Sequence, residues 1–459
     1  MGKDLSKWTT VVTRLVEPDI KREPEWIEWS TLDEFLNRFS GHPFTSYFLL
    51  YKPEAGAAAD AESVLPIDRL IESLGKALDH FYPFAGRIIK KDGSCWGGRL
   101  FCNNEGALFT HRRYDGVASD LIDEEQFQSV ELITGFDCLH AVDASKLPTL
   151  IIQVTDFQCG TRCLSTSWNH GVADGFSATH FLESWAKISR GEPISLMPVH
   201  NRTLLTPRKS SSVLDGSQVR FLNTSIKDPV TVELAIPGDG VGTKVMKLGK
   251  TRINELKAEA LSSHDGINLS TADCVSAHFW RLITEKRNLQ GHELTRFVTA
   301  VNGRSRLKDF PAGYFGNCVT FAVVVMTAGE LLSKPLGHAA VAIHNAVKAM
   351  DEEVIRGTID WMAVNKLHSS CVGDEPFMPG DPNSNLHTFQ VSWQNRFPFY
   401  ELDFGGGRPS AVLRNRLKTR AFAGSRFYAL PTSTTSSEGD LQVLLIVENS
   451  LLKKLEDEI

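Results

Sequence analysis

Residues Arg162–Ile188, RCLSTSWNHGVADGFSATHFLESWAKI, decide how the chain is to be read. Arg162 to Trp168 is strand-like, and beyond it Phe176, Phe181, Leu182, Trp185 and Ile188 recur at helical spacing. Asp174 or Gly175 supplies the cap that starts this helix, and Gly191 stops it. Between strand and helix lies Asn169-His170-Gly171-Val172-Ala173-Asp174-Gly175. A histidine at such a junction has its ring fixed by backbone on both sides. It can therefore present one nitrogen to a reacting hydroxyl or amine as a general base. The glycines around Val172-Ala173-Asp174 predict a sharp turn and close approach of a ligand.

Outward from this stretch the chain alternates strands and helices. Thr149–Phe157 and Arg162–Trp168, separated by Gln158-Cys159-Gly160-Thr161, predict a hairpin. Upstream, Ser30-Thr31-Leu32-Asp33 reads as a helix start or turn, and Phe44–Tyr51 as an aromatic-rich strand. Ile67, Leu70, Ile71, Leu74 and Leu78 predict a helix over Pro66–Tyr82, ended by Pro83, with Phe84–Ile89 returning as a strand. From Gly191 to Gln218 three prolines and Ser210-Ser211-Ser212 interrupt the pattern, as in a crossover between domains. The alternation then resumes. A helix is expected over Thr251–Leu261 and another from Ser270-Thr271-Ala272-Asp273 to about Arg287, with Asp273 at the capping-box position. Strands follow at Phe297–Val301 and Phe321–Met326, a helix over Leu331–Met350, a buried strand at Leu441–Val447 and a helix over Ser450–Glu458 capped by Asn449. The expected organisation is two similar mixed α/β modules: residues 1–190, a linker over 191–218, and residues 219–459.

Charge and composition exclude several functions. The formal net charge of −6 and the lack of a dense Lys/Arg tract argue against nucleic acid; Arg414–Arg420 interleaves its charges and reads as a solvated face. Eight cysteines form no CxxC pair, and Cys159 and Cys163 flank a tight turn, so no metal is expected. Unpaired thiols fit a reducing, cytoplasmic setting, in which the sequons at Asn201, Asn223 and Asn268 carry little meaning. No signal peptide or membrane span is expected, and the Gly2/Ser6 myristoylation pattern has no polybasic follow-up.

Spacing alone leaves three readings of His170 and Asp174 open. A metal pair at this spacing needs a third ligand, and nothing nearby supplies one. A structural core histidine is the second. The third is a general base at a loop whose flanking glycines a core histidine would not need.

Further segments bear on the choice. The loop resembles the HxxxDG motif of the BAHD acyltransferases, a plant CoA-dependent family. Phe81-Tyr82-Pro83-Phe84-Ala85-Gly86-Arg87 resembles that family's YPxAGR, and Ala300-Val301-Asn302-Gly303-Arg304-Ser305-Arg306-Leu307 its VNxRxRL. Tyr314-Phe315-Gly316-Asn317, Ser392-Trp393 and Asp403-Phe404-Gly405-Gly406-Gly407 follow in the family's order, the last resembling DFGWG. The resemblance spans nearly the whole chain. It implies two chloramphenicol-acetyltransferase-like domains in a monomer without a resident cofactor, using acyl-CoA as co-substrate and a small-molecule acceptor. His170 is then the general base, with no covalent enzyme intermediate. Trp393 or Ser392 is implied as donor to the oxyanion. Asp174 becomes a structural residue paired with Arg304. Ser270 and Thr271, at a helix start, are candidates for a CoA phosphate contact or for plain capping.

The chain departs from the pattern at Gly406, where the family has Trp. Loss of an indole that nothing refills costs roughly 3–5 kcal/mol. The segment His200–Leu205 together with Ser392-Trp393 resembles hydroxycinnamoyl-type members and favours an aromatic acyl donor. Aliphatic or acetyl transfer, and a non-catalytic binding protein on the same scaffold, are the alternatives. HxxxDG also occurs in peptide-synthetase condensation domains, which usually carry a second His where this chain has Asn169.

Overall fold

The computed structural model describes residues 5–39, 44–53, 64–90, 98–122, 147–208, 240–263, 266–364, 387–414, 425–432 and 439–455. Gly2, Cys95, Cys138, Ser210–Ser212, Asn223, Cys371, residues 415–420 of the basic piece and residues 456–458 of the last expected helix lie outside them. The chain forms two compact units, neither continuous in sequence. The first comprises Met1–Leu204, Pro311–Asn317 and Phe397–Leu417; the second comprises Leu205–Phe310, Cys318–Arg396 and Lys418–Ile459.

A six-stranded sheet organises the first unit, in the order Trp8–Val16, Ala107–Tyr114, Leu150–Phe157, Arg162–Asn169, Phe44–Tyr51, Ala411–Arg414. Only Ala107–Tyr114 and Leu150–Phe157 pair in parallel, so the sheet is mixed. The hairpin at Gln158–Thr161 forms as expected, with Phe157 N–H donating to Thr161 O at 3.1 Å. The three strands at 44–51, 150–157 and 162–169 are buried at every position. Polar side chains within them also pair with one another, as where Ser167 Oγ donates to Ser46 Oγ at 2.8 Å. Before the strand Arg87–Lys90 the chain makes a 3₁₀ turn, Tyr82–Ala85. Chain order alone assigns Asp403–Gly407 to the C-terminal module. The packing puts them in the first unit, because Ala411–Arg414 pairs with Phe44–Tyr51 and Tyr51 Oη donates to Leu402 O at 2.8 Å.

The helix after the histidine loop runs Gly175–Ser189. Asp174 caps it, Oδ1 accepting from Ser177 N–H at 2.9 Å. The expected one-sided apolar stripe is corrected: Ser177, Thr179, His180, Ser184 and Ser189 are buried too, whereas Phe176 and Ile188 are only half-buried. Neighbouring segments cover the helix on several sides, and its hydroxyls find backbone acceptors. Ser184 Oγ donates to His180 O at 2.8 Å, and Ser189 Oγ to Phe404 O at 2.9 Å. Edge-on contacts of Phe81 with Phe181 and Phe315, at 5.4 and 5.2 Å, join this helix to the 82–85 turn and the 311–317 segment. Such pairs contribute about 0.5–1.5 kcal/mol each beyond area burial.

The second unit holds another mixed six-stranded sheet, ordered Val319–Thr327, Leu294–Asn302, His387–Trp393, Ser425–Leu430, Leu441–Glu448, Val241–Leu248. The helices Lys250–Leu261, Thr271–Lys286 and Leu336–Lys348 contribute to its core, with Phe279, Trp280, Phe297, Phe389 and Phe427 at the centre. The single helix expected over Leu331–Met350 is corrected to two, Ala328–Ser333 and Leu336–Lys348. Lys334 is extended (φ −86°, ψ 156°), since Pro335 disfavours helical backbone at the residue before it. Among the described residues no helix is long and apolar enough to cross a membrane.

Candidate active site

The strand Arg162–Asn169 delivers the histidine loop, and its last side chains shape the bend. Trp168 is buried against Tyr47, the rings stacked at 5.7 Å, and its indole N–H donates to Ala173 O at 3.1 Å. Asn169 Oδ1 accepts from Gly171 N–H at 2.8 Å, and Asn169 O from Val172 N–H at 3.0 Å, a turn closed by its own side chain. Neither Gly171 nor Gly175 has a positive φ, so the sharp turn expected of these glycines is not their role. They make room for side chains instead: a Cβ on Gly171 would lie 3.0 Å from Trp29 and Asn37, and one on Gly175 2.8 Å from Phe397.

Three residues from distant parts of the first unit hold the loop. Asn317 Nδ2 donates to His170 O at 2.8 Å and to Gly171 O at 3.2 Å, and Arg202 Nη2 donates to Val172 O at 2.9 Å. Asp33 organises both. Its Oδ1 accepts from Asn317 N–H at 3.0 Å and from Asn317 Nδ2 at 2.8 Å, and its Oδ2 lies 3.3 Å from Arg202 Nε. Arg202 also donates to Phe315 O, and a Cβ on Gly316 would collide with its guanidinium. Burial opposes the Arg202 charge, but Asp33, Tyr314 and Asp174 together hold its pKa above the usual value. A parallel bridge between Val199 and Tyr314 keeps the Arg202 and Asn317 segments side by side. Sequence reasoning gave none of the three a part in the site. Asp33 read only as a helix start, Arg202 as part of a substrate-type segment, and Asn317 as the end of a motif without a role.

His170 is half-buried, and its Nδ1 is buried without a hydrogen bond of normal geometry. Burial pulls the imidazole pKa below its ordinary value, and Arg414 acts in the same direction; the His170 backbone, Asp174 and Asn317 offset part of this. The ring is therefore neutral at pH 7, the form that accepts a proton.

The other expected site residues fall as follows. Asp174 is fully buried as the helix cap, in the same unit as His170. Arg304 is buried in the second unit, its N–H and Nη1 donating to Asn302 Oδ1 at 3.1 and 3.2 Å. Trp393 donates its indole N–H to Ser276 Oγ at 3.1 Å, and Ser392 Oγ accepts from Gln394 Nε2 at 3.1 Å. Ser270 forms the capping box with Asp273, each accepting from the other's backbone, and Thr271 is the first helical residue. In the loop Asp403–Gly407, Asp403 Oδ1 accepts from Gly405 and Gly407 N–H at 2.7 and 3.0 Å. Gly405 and Gly407 have φ of +103° and +104°, a conformation that only glycine adopts cheaply. Phe404 is buried against Trp185 at 4.7 Å, so the loop is anchored to the helix without a residue of any bulk at Gly406. Among the described residues no cluster suits a metal ion, and Cys163 is a buried thiol pushed up to about 12 by burial.

A family model described as "Transferase family" matches residues 6–459. A shikimate O-hydroxycinnamoyltransferase of Nicotiana tabacum is 31% identical over 396 residues, 83% of this chain and 86% of that protein. A hydroxycinnamoyl-CoA:5-hydroxyanthranilate N-hydroxycinnamoyltransferase of Avena sativa is 30% identical over 452 residues, 96% of each. The solved structure of vinorine synthase is 20% identical with a TM-score of 0.69, covering 97% of this chain and 96% of that one. F. graminearum TRI101, complexed with coenzyme A and deoxynivalenol, is 16% identical with a TM-score of 0.75, covering 95% and 97%. At these identities the two structures speak for fold alone, the two-unit chloramphenicol-acetyltransferase-like α/β fold. The family match over residues 6–459 and the relatives at 30–31% identity show that the chain belongs to the BAHD family of acyl-CoA-dependent acyltransferases.

Proposed function

We propose that the chain transfers an aromatic, hydroxycinnamoyl-type acyl group from CoA to a small alcohol or amine, with His170 as general base. The observation that carries this reading is a half-buried imidazole at a strand-to-helix bend, its pKa lowered by burial, whose own carbonyl and the two that follow are each fixed by a side chain. The names of the relatives support the donor class, and they include both O- and N-transfer.

In the proposed reaction the acceptor's oxygen or nitrogen attacks the thioester carbonyl carbon as His170 takes its proton. A C–O or C–N bond forms and the carbonyl oxygen becomes an oxyanion. Collapse breaks the C–S bond, and the imidazolium returns the proton to the leaving thiolate. Base catalysis of this kind contributes about 10²–10⁴-fold. No cysteine acts as nucleophile. Trp393 serves as oxyanion donor only by exchanging its bond to Ser276, and Ser392 is the second candidate. Asp174, with Arg304 as the partner the family pattern gives it, keeps its assignment as a structural residue. Ser270 and Thr271 stay candidates for a CoA phosphate contact, made through the helix N-terminus, since the Ser270 hydroxyl is engaged in capping. The reading also takes the protein as a cytoplasmic monomer with acyl-CoA as co-substrate and no resident cofactor.

The experiment is thiol release from aromatic and aliphatic acyl-CoAs with hydroxyl and amine acceptors. Acceptor-dependent release with aromatic CoA supports the reading. Release only from acetyl or aliphatic CoA replaces the donor class, and no release from any donor favours a binding protein.

A further inference from the structure

Asn317 is joined to the HxxxDG loop by two hydrogen bonds from its side chain. Its amide nitrogen reaches the carbonyl of the histidine itself, at 2.8 Å, and the next carbonyl at 3.2 Å. The same nitrogen and the backbone N–H both rest on Asp33 Oδ1, at 2.8 and 3.0 Å, so the amide plane is set by a carboxylate that is itself fully buried. With the nitrogen so engaged, the amide oxygen faces away from Asp33. That oxygen and His170 Nδ1 are both buried atoms without a hydrogen bond of normal geometry. One is an acceptor, and the other is a donor in one tautomer of the ring.

We propose that Asn317, oriented by Asp33, is a positioning residue for His170: its nitrogen fixes the histidine's main chain and its oxygen receives Nδ1–H, which leaves Nε2 as the base. The tautomer of a neutral imidazole is set by the bond its other nitrogen makes. Without an acceptor at Nδ1, the ring is free to carry its proton on Nε2, where it cannot take one from the acceptor substrate. The influence of Asn317 on the ring has the same sign, since it favours the protonated imidazole against the effect of burial. Asp33 contributes through Asn317. It acts by holding the amide in one of its two flipped orientations, because a carboxylate accepts only from the NH₂ side.

This inference rests on His170 being the base, so the test separates the two. Protein labelled with ¹⁵N-histidine is titrated without substrates, and the His170 signals are assigned by their loss in His170→Gln. The wild type is expected in the Nδ1–H tautomer with Nε2 unprotonated. Asn317→Ala is expected to shift the balance toward Nε2–H and to lower the pKa of the ring further. In turnover it is expected to lose about 100-fold in kcat with KM values within about threefold, the signature of a misplaced base. Asn317→Ser, which keeps a small polar group but has no amide to span from Asp33 to the ring, gives a smaller change of the same kind and covers the case in which Asn317→Ala fails to fold. A wild-type ring in the Nε2–H tautomer, or one whose tautomer and pKa are the same in both variants, overturns the proposal even if both variants are less active. Absence of turnover in the wild type with every acyl-CoA would overturn the acyltransferase reading and leave the spectroscopic result standing.

Discussion

Arg202 and Asp33 form an ion pair at 3.3 Å in which the two side chains are only 5% and 0% exposed. Two charges so deep in a protein gain little as a pair, yet losing one of them strands the other. Here each also fixes part of the histidine loop, Arg202 through Val172 O and Asp33 through Asn317. The pair sits where small shifts would move the reacting imidazole.

Arg202→Met is therefore expected to cost about 3–5 kcal/mol, because it leaves the Asp33 carboxylate buried and unpaired. Urea unfolding at pH 7 measures this. A loss under about 1 kcal/mol would mean that the ion pair does not secure the loop.

Asp174→Ala removes the cap of the Gly175–Ser189 helix, a change that costs about 0.5–2 kcal/mol. Soluble yield, melting temperature and activity should fall together. A variant that melts like the wild type and yet does not turn over would sink the structural role and restore a direct part in catalysis.

How far these features could be read from the chain itself depends on how local they are. The loop around His170, the cap at Asp174, the hairpin at Gln158–Thr161 and the capping box at Ser270 are all written in neighbouring residues, and the structure contains them. Asp33 and Asn317 lie 284 positions apart, and no periodicity or spacing links them. The return of Ala411–Arg414 to the sheet of the first unit depends equally on a pairing that no local pattern announces. The helix Gly175–Ser189 misled for another reason. Apolar spacing marks only one face of it, but its Ser and Thr residues each found a carbonyl to bond and were buried too. At Pro335 the helical pattern ran straight through a break, because apolar spacing carries no information about the residue before a proline.

The pH dependence of kcat/KM follows from the direction of the His170 shift. Neutral imidazole is the active form, so activity falls as the pH drops through its pKa. Burial lowers that pKa below the ordinary 6.5, which moves the acidic limb to lower pH and leaves more than half of the activity at pH 6.5. A pH–rate profile with a substrate whose own groups do not titrate there is the check. An acidic limb centred above 6.5 would show that the base is not in the environment described for His170.

The most direct test of the central claim is the rate of CoA thiol release from an aromatic acyl-CoA in the presence of acceptor, measured for the wild type and for His170→Ala alongside their melting temperatures. The account predicts acceptor-dependent release by the wild type and a loss of about 10²–10⁴-fold in His170→Ala with an unchanged melting temperature. Equal rates in the two proteins would contradict it.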